Sequence, residues 1–207
     1  MIRRTVLTGA CALALLLGQP NAATRVAAAA GASSVDGRLL DVLREGETVI
    51  LFRPTRTAPG RDLPGPRGMD FRDCKSQRHL SDAGRHQARE IGVAFTAQQI
   101  PVGEIYTSNY CRAIETAKLA FGRGKPVTEL TARPGEEERV DNWVRKMLLA
   151  PPKGGKNRVL ICEPNEMKLL SGETIPEGEA VIFVAAGKDV ELAGRILPDQ
   201  WAGLATR

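Results

Sequence analysis

Val49-Ile50-Leu51-Phe52-Arg53-Pro54-Thr55-Arg56-Thr57 begins as an unbroken apolar run and ends in cations around a proline. A short β-rich run with no polar alternation is the pattern of a strand covered on both faces, and it predicts a strand over Thr48–Phe52. Arg158–Cys162 and Ala180–Val184 repeat the pattern. Helical stripes lie between and around them. Strands alternating with helices predict an α/β protein, a three-layer α/β/α sandwich with a mostly parallel central sheet. Such sheets bind ligands beyond the carboxyl ends of their strands, so the residues after Phe52, Thr107 and Ile161 matter most.

Leu39, Leu40 and Leu43 predict a short helix before the first strand. Residues 56–72 are rich in Pro, Gly and charge and read as an exposed loop. Ser81 caps a helix whose apolar face carries Ala88, Ile91, Gly92 and Phe95. A short strand follows over Ile105–Ser108, a helix over Arg112–Phe121, a strand over Pro126–Leu130 and a helix over Glu136–Leu149. Val190–Ile196 pairs with Ala180–Val184 in a hairpin around Gly187-Lys188. A single domain over 35–207 is expected.

Residues 1–23 read as a signal peptide: Arg3 and Arg4, then an apolar run to Gly18, then small residues. The paired arginines also suit a twin-arginine signal. Residues 24–34, mostly Ala, Gly and Ser, form a flexible leading segment. The expected destination is the periplasm or the exterior, with no membrane span in the mature chain. The net charge of +5 falls to +3 without the leader, and aromatics make up only 4% of the chain. Neither supports nucleic-acid binding. Cys74, Cys111 and Cys162 remain in a compartment that permits disulfides.

Three strand ends carry a resemblance. The Val49–Thr57 stretch resembles the signature strand of the histidine phosphatases, the phosphoglycerate mutase-like superfamily. Leu80-Ser81-x-x-Gly84-x-x-Gln87-Ala88 is similar to that family's helix start, and Ser108-x-x-x-Arg112-Ala113-x-x-Thr116-Ala117 to its second arginine motif. Arg158–Leu170 sits where the family places its second histidine strand and the following helix. The family transfers phosphoryl groups through a phosphohistidine. Its arginines hold the phosphate oxygens, for which planar guanidiniums are suited.

The resemblance implies anion-binding roles for Arg53 and Arg112. It also places Pro54 at the nucleophilic position and Glu163 at the second histidine position. Proline offers no nucleophile, so phosphohistidine chemistry has no seat there. Glu136 is the candidate for the family's acid/base carboxylate, or else a dipole-compatible helix start. Thr57, Arg78 and His79 border the expected site, although His79 and His86 read first as surface residues. The motifs that the fold brings together also imply a Cys74–Cys111 disulfide, leaving Cys162 as a buried thiol or a reactive one.

These residues support a pseudophosphatase that binds a small anionic ligand or a protein partner. They also support a repurposed enzyme in which Glu163, Cys162, Glu136 or His79 works beside Arg53 and Arg112. A pocket that Glu163 fills itself is a third arrangement. A metal on Glu163, Asp62, Asp70 and Asp73 has no specific spacing behind it, and no cofactor is implied.

Overall fold

The computed structural model describes residues 35–206 apart from 66, 67, 134, 151, 153 and 165–172. The expected signal peptide, the leading segment and the helix running to Leu170 lie outside the described residues. The helices are α1 (Gly37–Glu45), α2 (Asp82–Ala97), α3 (Cys111–Phe121), α4 (Glu137–Leu149) and α5 (Gln200–Ala205). The strands are β1 (Val49–Phe52), β2 (Val102–Thr107), β3 (Lys125–Pro126), β4 (Asn157–Ile161), β5 (Ala180–Ala186) and β6 (Asp189–Ile196).

The sheet runs β3-β2-β4-β1-β5-β6. β1 lies parallel to β4, with Phe52 opposite Ile161, and antiparallel to β5, with Phe52 also opposite Ala180. β2 joins the other side of β4, with Thr107 opposite Ile161. The ends of β1, β2 and β4 therefore lie level, and Arg53, Ser108 and Cys162 leave the sheet side by side.

Strand alternation assigns the two faces. Ile50, Phe52, Val159, Ile161 and Ile182 pack with residues of α1, α2, α3 and α5. Val49, Leu51, Leu160 and Val181 pack beneath α4. Both faces are covered, as expected of the continuous apolar runs. β5 and β6 form the expected hairpin.

One expected strand is corrected. Of Pro126–Leu130 only Pro126 joins the sheet, opposite Thr107, and Thr128–Leu130 is one turn of 3-10 helix. Val127 donates to the Thr107 carbonyl at 2.9 Å, after which the chain turns away. The apolar pair Val127 and Leu130, three residues apart, fits a turn in which such positions eclipse. Leu130 is fully buried under α4 as a result. α5 was not anticipated. It supplies Trp201, buried beside Phe52 and Phe95 with ring centroids 5.5 and 5.8 Å away, and its indole N–H donates to the Gly178 carbonyl.

The Ser81–Ala88 motif acts through backbone contact. Ser81 caps α2 by accepting from Gly84 N–H at 3.0 Å, and its hydroxyl donates to the Arg56 carbonyl at 3.1 Å. Gln87 accepts from Arg56 N–H at 3.3 Å. A Cβ on Gly84 would stand 1.8 Å from the Arg56 carbonyl oxygen, so only glycine lets the helix approach the chain leaving β1. Thr116 on α3 accepts from Thr55 N–H at 3.3 Å. Two helices thus hold the segment that carries Arg53 and Pro54.

Cys74 and Cys111 form a disulfide that closes a separation of 37 residues. Its contribution is about 4 kcal/mol in the loop-entropy picture. Thiol labelling under denaturing conditions should modify Cys162 but neither Cys74 nor Cys111 before reduction, and all three of them after it. Labelling of Cys74 or Cys111 without reductant would contradict the pairing. Gly84→Ala should lower stability by about 3 kcal/mol, as overpacking against rigid backbone does, read as a lower urea midpoint.

Candidate functional site

The loop after β1 returns to its origin: Thr57 bridges Leu80, and Ala58 N–H donates to the His79 carbonyl at 2.9 Å. That return sets Asp62 and Arg78 over the strand ends. The disulfide ties the loop to the first residue of α3, and Gln77 accepts from Cys111 N–H at 2.9 Å. The next residue along α3 is Arg112.

Arg112 is buried, at 4% exposure, and three of its nitrogens are engaged by carboxylates. Its Nε and Nη2 donate to Glu163 Oε2 at 3.0 and 2.7 Å, and its Nη1 donates to Asp62 Oδ1 at 2.9 Å. Asp62 also accepts from Arg78 N–H at 2.8 Å. The Tyr110 ring lies 4.0 Å from the guanidinium carbon, a cation–π contact. Desolvation works against the charged form of Arg112, but Glu163 and Asp62 outweigh it and raise its pKa.

Arg53 lies in the second half of the cluster. Its Nη1 donates to the Ile175 carbonyl at 2.5 Å, and its Nη2 stands 3.7 Å from Glu177. Glu177 accepts from Thr57 Oγ1 and N–H at 2.7 and 3.1 Å, and lies 3.8 Å from Arg78. Burial lowers the pKa of Arg53, and the neighbouring Arg78 and Arg112 act in the same direction. Pro54 is buried between Arg53 and Thr55, and its carbonyl accepts from Gly178 N–H at 3.1 Å.

Glu163 directly follows Cys162 and is buried, at 7% exposure. Burial pushes its pKa above the usual carboxylate range, against the pull of Arg112. Oε2 takes both Arg112 donors, while Oε1 has no hydrogen-bond partner among the described residues. Buried carboxylate oxygens are normally satisfied, so Oε1 is the seat for a proton or for a donor from a ligand.

Arg53, Arg112, Arg78, Thr57 and Glu163 thus gather at one mouth. Glu136 takes a different place: it stands at the start of α4 and binds Arg139 at 2.9 Å, and that guanidinium lowers its pKa. His79 and His86 are exposed, and His86 lies 3.4 Å from Glu90. Cys162 is buried beneath α4. Asp70 binds Arg72 and Asp73 caps Lys75 N–H, so those two acids are spent apart from Asp62 and Glu163. Among the described residues no three His, Cys, Asp or Glu side chains cluster as metal ligands would.

Two carboxylates were missed by sequence reasoning. Glu177 gave no local signal, since its partner Arg53 lies more than a hundred residues earlier. Asp62 was read only as an oxygen donor for a metal. Its place opposite Arg112 depends on the loop's return.

Comparison with known proteins agrees with this architecture. Residues 73–147 match the sequence model of the Histidine phosphatase superfamily (branch 1). No curated protein matches the chain. Among solved structures, the protein histidine phosphatase SixA complexed with tungstate is similar at 14% identity, over 73% of this chain and 97% of that one, with a TM-score of 0.52. YhfR of Bacillus stearothermophilus is similar at 16% identity over 70% and 95%, TM-score 0.53. A phosphoserine phosphatase mutant from Entamoeba histolytica, in complex with phosphoserine, is similar at 13% identity over 72% and 95%, TM-score 0.53. With that sequence pattern over residues 73–147 and that architecture over the described residues, the chain has the fold of the histidine phosphatase superfamily.

Proposed function

We propose that this chain is an exported pseudophosphatase: a histidine-phosphatase frame without phosphohistidine chemistry that binds an anionic ligand or a partner at its strand-end mouth. One observation carries the reading. The Glu163 carboxylate sits on Arg112 at 2.7 and 3.0 Å, where an oxyanion would meet that guanidinium. Pro54 at the nucleophilic position supports it, because a phosphoryl acceptor needs a lone pair in line with the leaving oxygen. The leader-like residues 1–23 and the Cys74–Cys111 disulfide suit an oxidising compartment outside the cytoplasm. Tungstate in SixA and phosphoserine in the amoebal enzyme are anions held by this fold, which suits an anionic ligand class here.

A second reading has an observation of its own. A buried Oε1 without a partner among the described residues, and a raised pKa, give Glu163 properties of a general acid. A repurposed enzyme would use Glu163 beside Arg53 and Arg112. Loss of turnover in folded Glu163→Gln, on any substrate the wild type converts, would favour that reading.

The wild type should show no hydrolysis of a generic phosphomonoester above the uncatalysed rate. A robust rate that Arg53→Ala abolishes would overturn the pseudophosphatase. Pro54→His combined with Glu163→His then asks whether the frame regains activity once both positions are restored.

Stability should carry the mark of Glu163. Its folded-state pKa is raised, so its contribution is fully present below the unfolded value near pH 4.3 and is lost as pH rises through the folded value. Glu163→Gln cannot ionise. The melting temperature of the variant minus that of the wild type should therefore grow as pH rises across that window and then level off. A difference constant with pH would contradict the assignment.

A further inference from the structure

The charges around Glu163 nearly cancel. Arg112 faces it from α3, Asp62 and Arg78 from the loop after β1, and Arg53 from the end of β1. Glu177, before β5, accompanies Arg53 and Arg78. Three guanidiniums stand with three carboxylates, so the set is neutral when all are ionised and carries one positive charge when Glu163 is protonated. The Nε–Nη2 edge of Arg112 is the edge that binds an oxyanion in a bidentate way, and Glu163 Oε2 occupies it. An incoming dianion must therefore displace a carboxylate from a neutral set.

Among the described residues, any guanidinium the displaced carboxylate could turn to is already shared with another acid: Arg112 Nη1 is bound to Asp62, and Arg53 and Arg78 lie 3.7 and 3.8 Å from Glu177. Leaving it charged beside a dianion would place like charges together in a desolvated mouth. Its Oε1 has no donor among the described residues and can receive a proton without breaking a hydrogen bond to them.

We propose that the pocket binds a tetrahedral dianion by exchange with the Glu163 carboxylate, and that each binding event takes up one proton at Glu163. The balance is simple: the Arg112–Glu163 ion pair, one proton and the dianion give a neutral Glu163 acid and an Arg112–dianion pair. Burial, which raises the pKa of Glu163, works in the same direction. The inference rests on the pocket being a binding site, and does not require the site to be without catalysis.

Linkage fixes the signature. Above the Glu163 pKa the association constant should fall tenfold per pH unit, and below it should be flat. Sulfate is the probe, because it remains a dianion across the range and cannot be hydrolysed. Calorimetric titration of the full chain at constant ionic strength, from about pH 5 to about pH 8, reads the slope. Glu163→Gln removes one carboxyl group and keeps every other ionisable side chain. The variant should bind sulfate with the wild-type low-pH affinity at every pH, and so at least tenfold more tightly than the wild type at the alkaline end.

A flat wild-type profile, no sulfate binding by the wild type at the acid end, a slope kept in the variant, or a folded variant that binds no sulfate would each overturn the proposal. If Glu163→Gln does not fold, wild-type binding heats in two buffers of different ionisation enthalpy give the proton count directly. One proton per sulfate supports the exchange and none refutes it. A phosphatase rate would overturn the pseudophosphatase and leave this exchange standing, whereas a flat sulfate profile would do the reverse.

Discussion

A buried guanidinium must find acceptors for its donors, and at Arg112 it finds carboxylates from two distant parts of the chain. This requirement organises the strand ends. Asp62 reaches Arg112 only because the loop after β1 folds back, which the Thr57–Leu80 bridge and the disulfide enforce. Glu163 reaches it because β4 lies between β1 and β2 and ends level with both. Removing one partner of such a pair strands a charge away from water, at a cost of about 3–5 kcal/mol. Asp62 and Glu163 therefore compensate the buried charge of Arg112 and at the same time close the mouth to anions.

Legibility divided along sequence distance. β1 and β4 were readable because Val49–Phe52 and Val159–Ile161 are apolar without interruption, which a strand buried on both faces demands. α2 was readable from Ser81 and Gly84, whose cap and close approach are local. Pro126–Leu130 was misread because an apolar pair three residues apart satisfies a short strand and a 3-10 turn equally, and only the sheet decides. At the site, Arg53, Arg112 and Glu163 stand at strand or helix ends and could be placed from the elements that carry them. Glu177 and Asp62 sit in irregular chain. Nothing local tells an acid that will meet a guanidinium from one that will remain in solvent, as the separate fates of Asp70 and Asp73 show.

The two halves of the mouth are also unequal. Arg112 is held by two carboxylates and an aromatic face, and burial fixes it in one geometry. Arg53 has a carbonyl at 2.5 Å and a looser carboxylate at 3.7 Å, and its pKa moves down where that of Arg112 moves up. The fold shared with histidine phosphatases supplies the frame, but local charge pairing decides what that frame can receive.

The position of β1 has a consequence for the order in which the molecule is assembled. Both of its sheet neighbours come from the second half of the chain, β4 at Asn157–Ile161 and β5 at Ala180–Ala186. As the polypeptide emerges from the ribosome, Val49–Phe52 has no partner on either edge until more than three quarters of the chain has been made. The central layer cannot be built from the amino terminus outward. It closes late, around a strand that waited for it: a chain released before β4 leaves both edges of that apolar segment unpaired, and one released before β5 leaves one edge open.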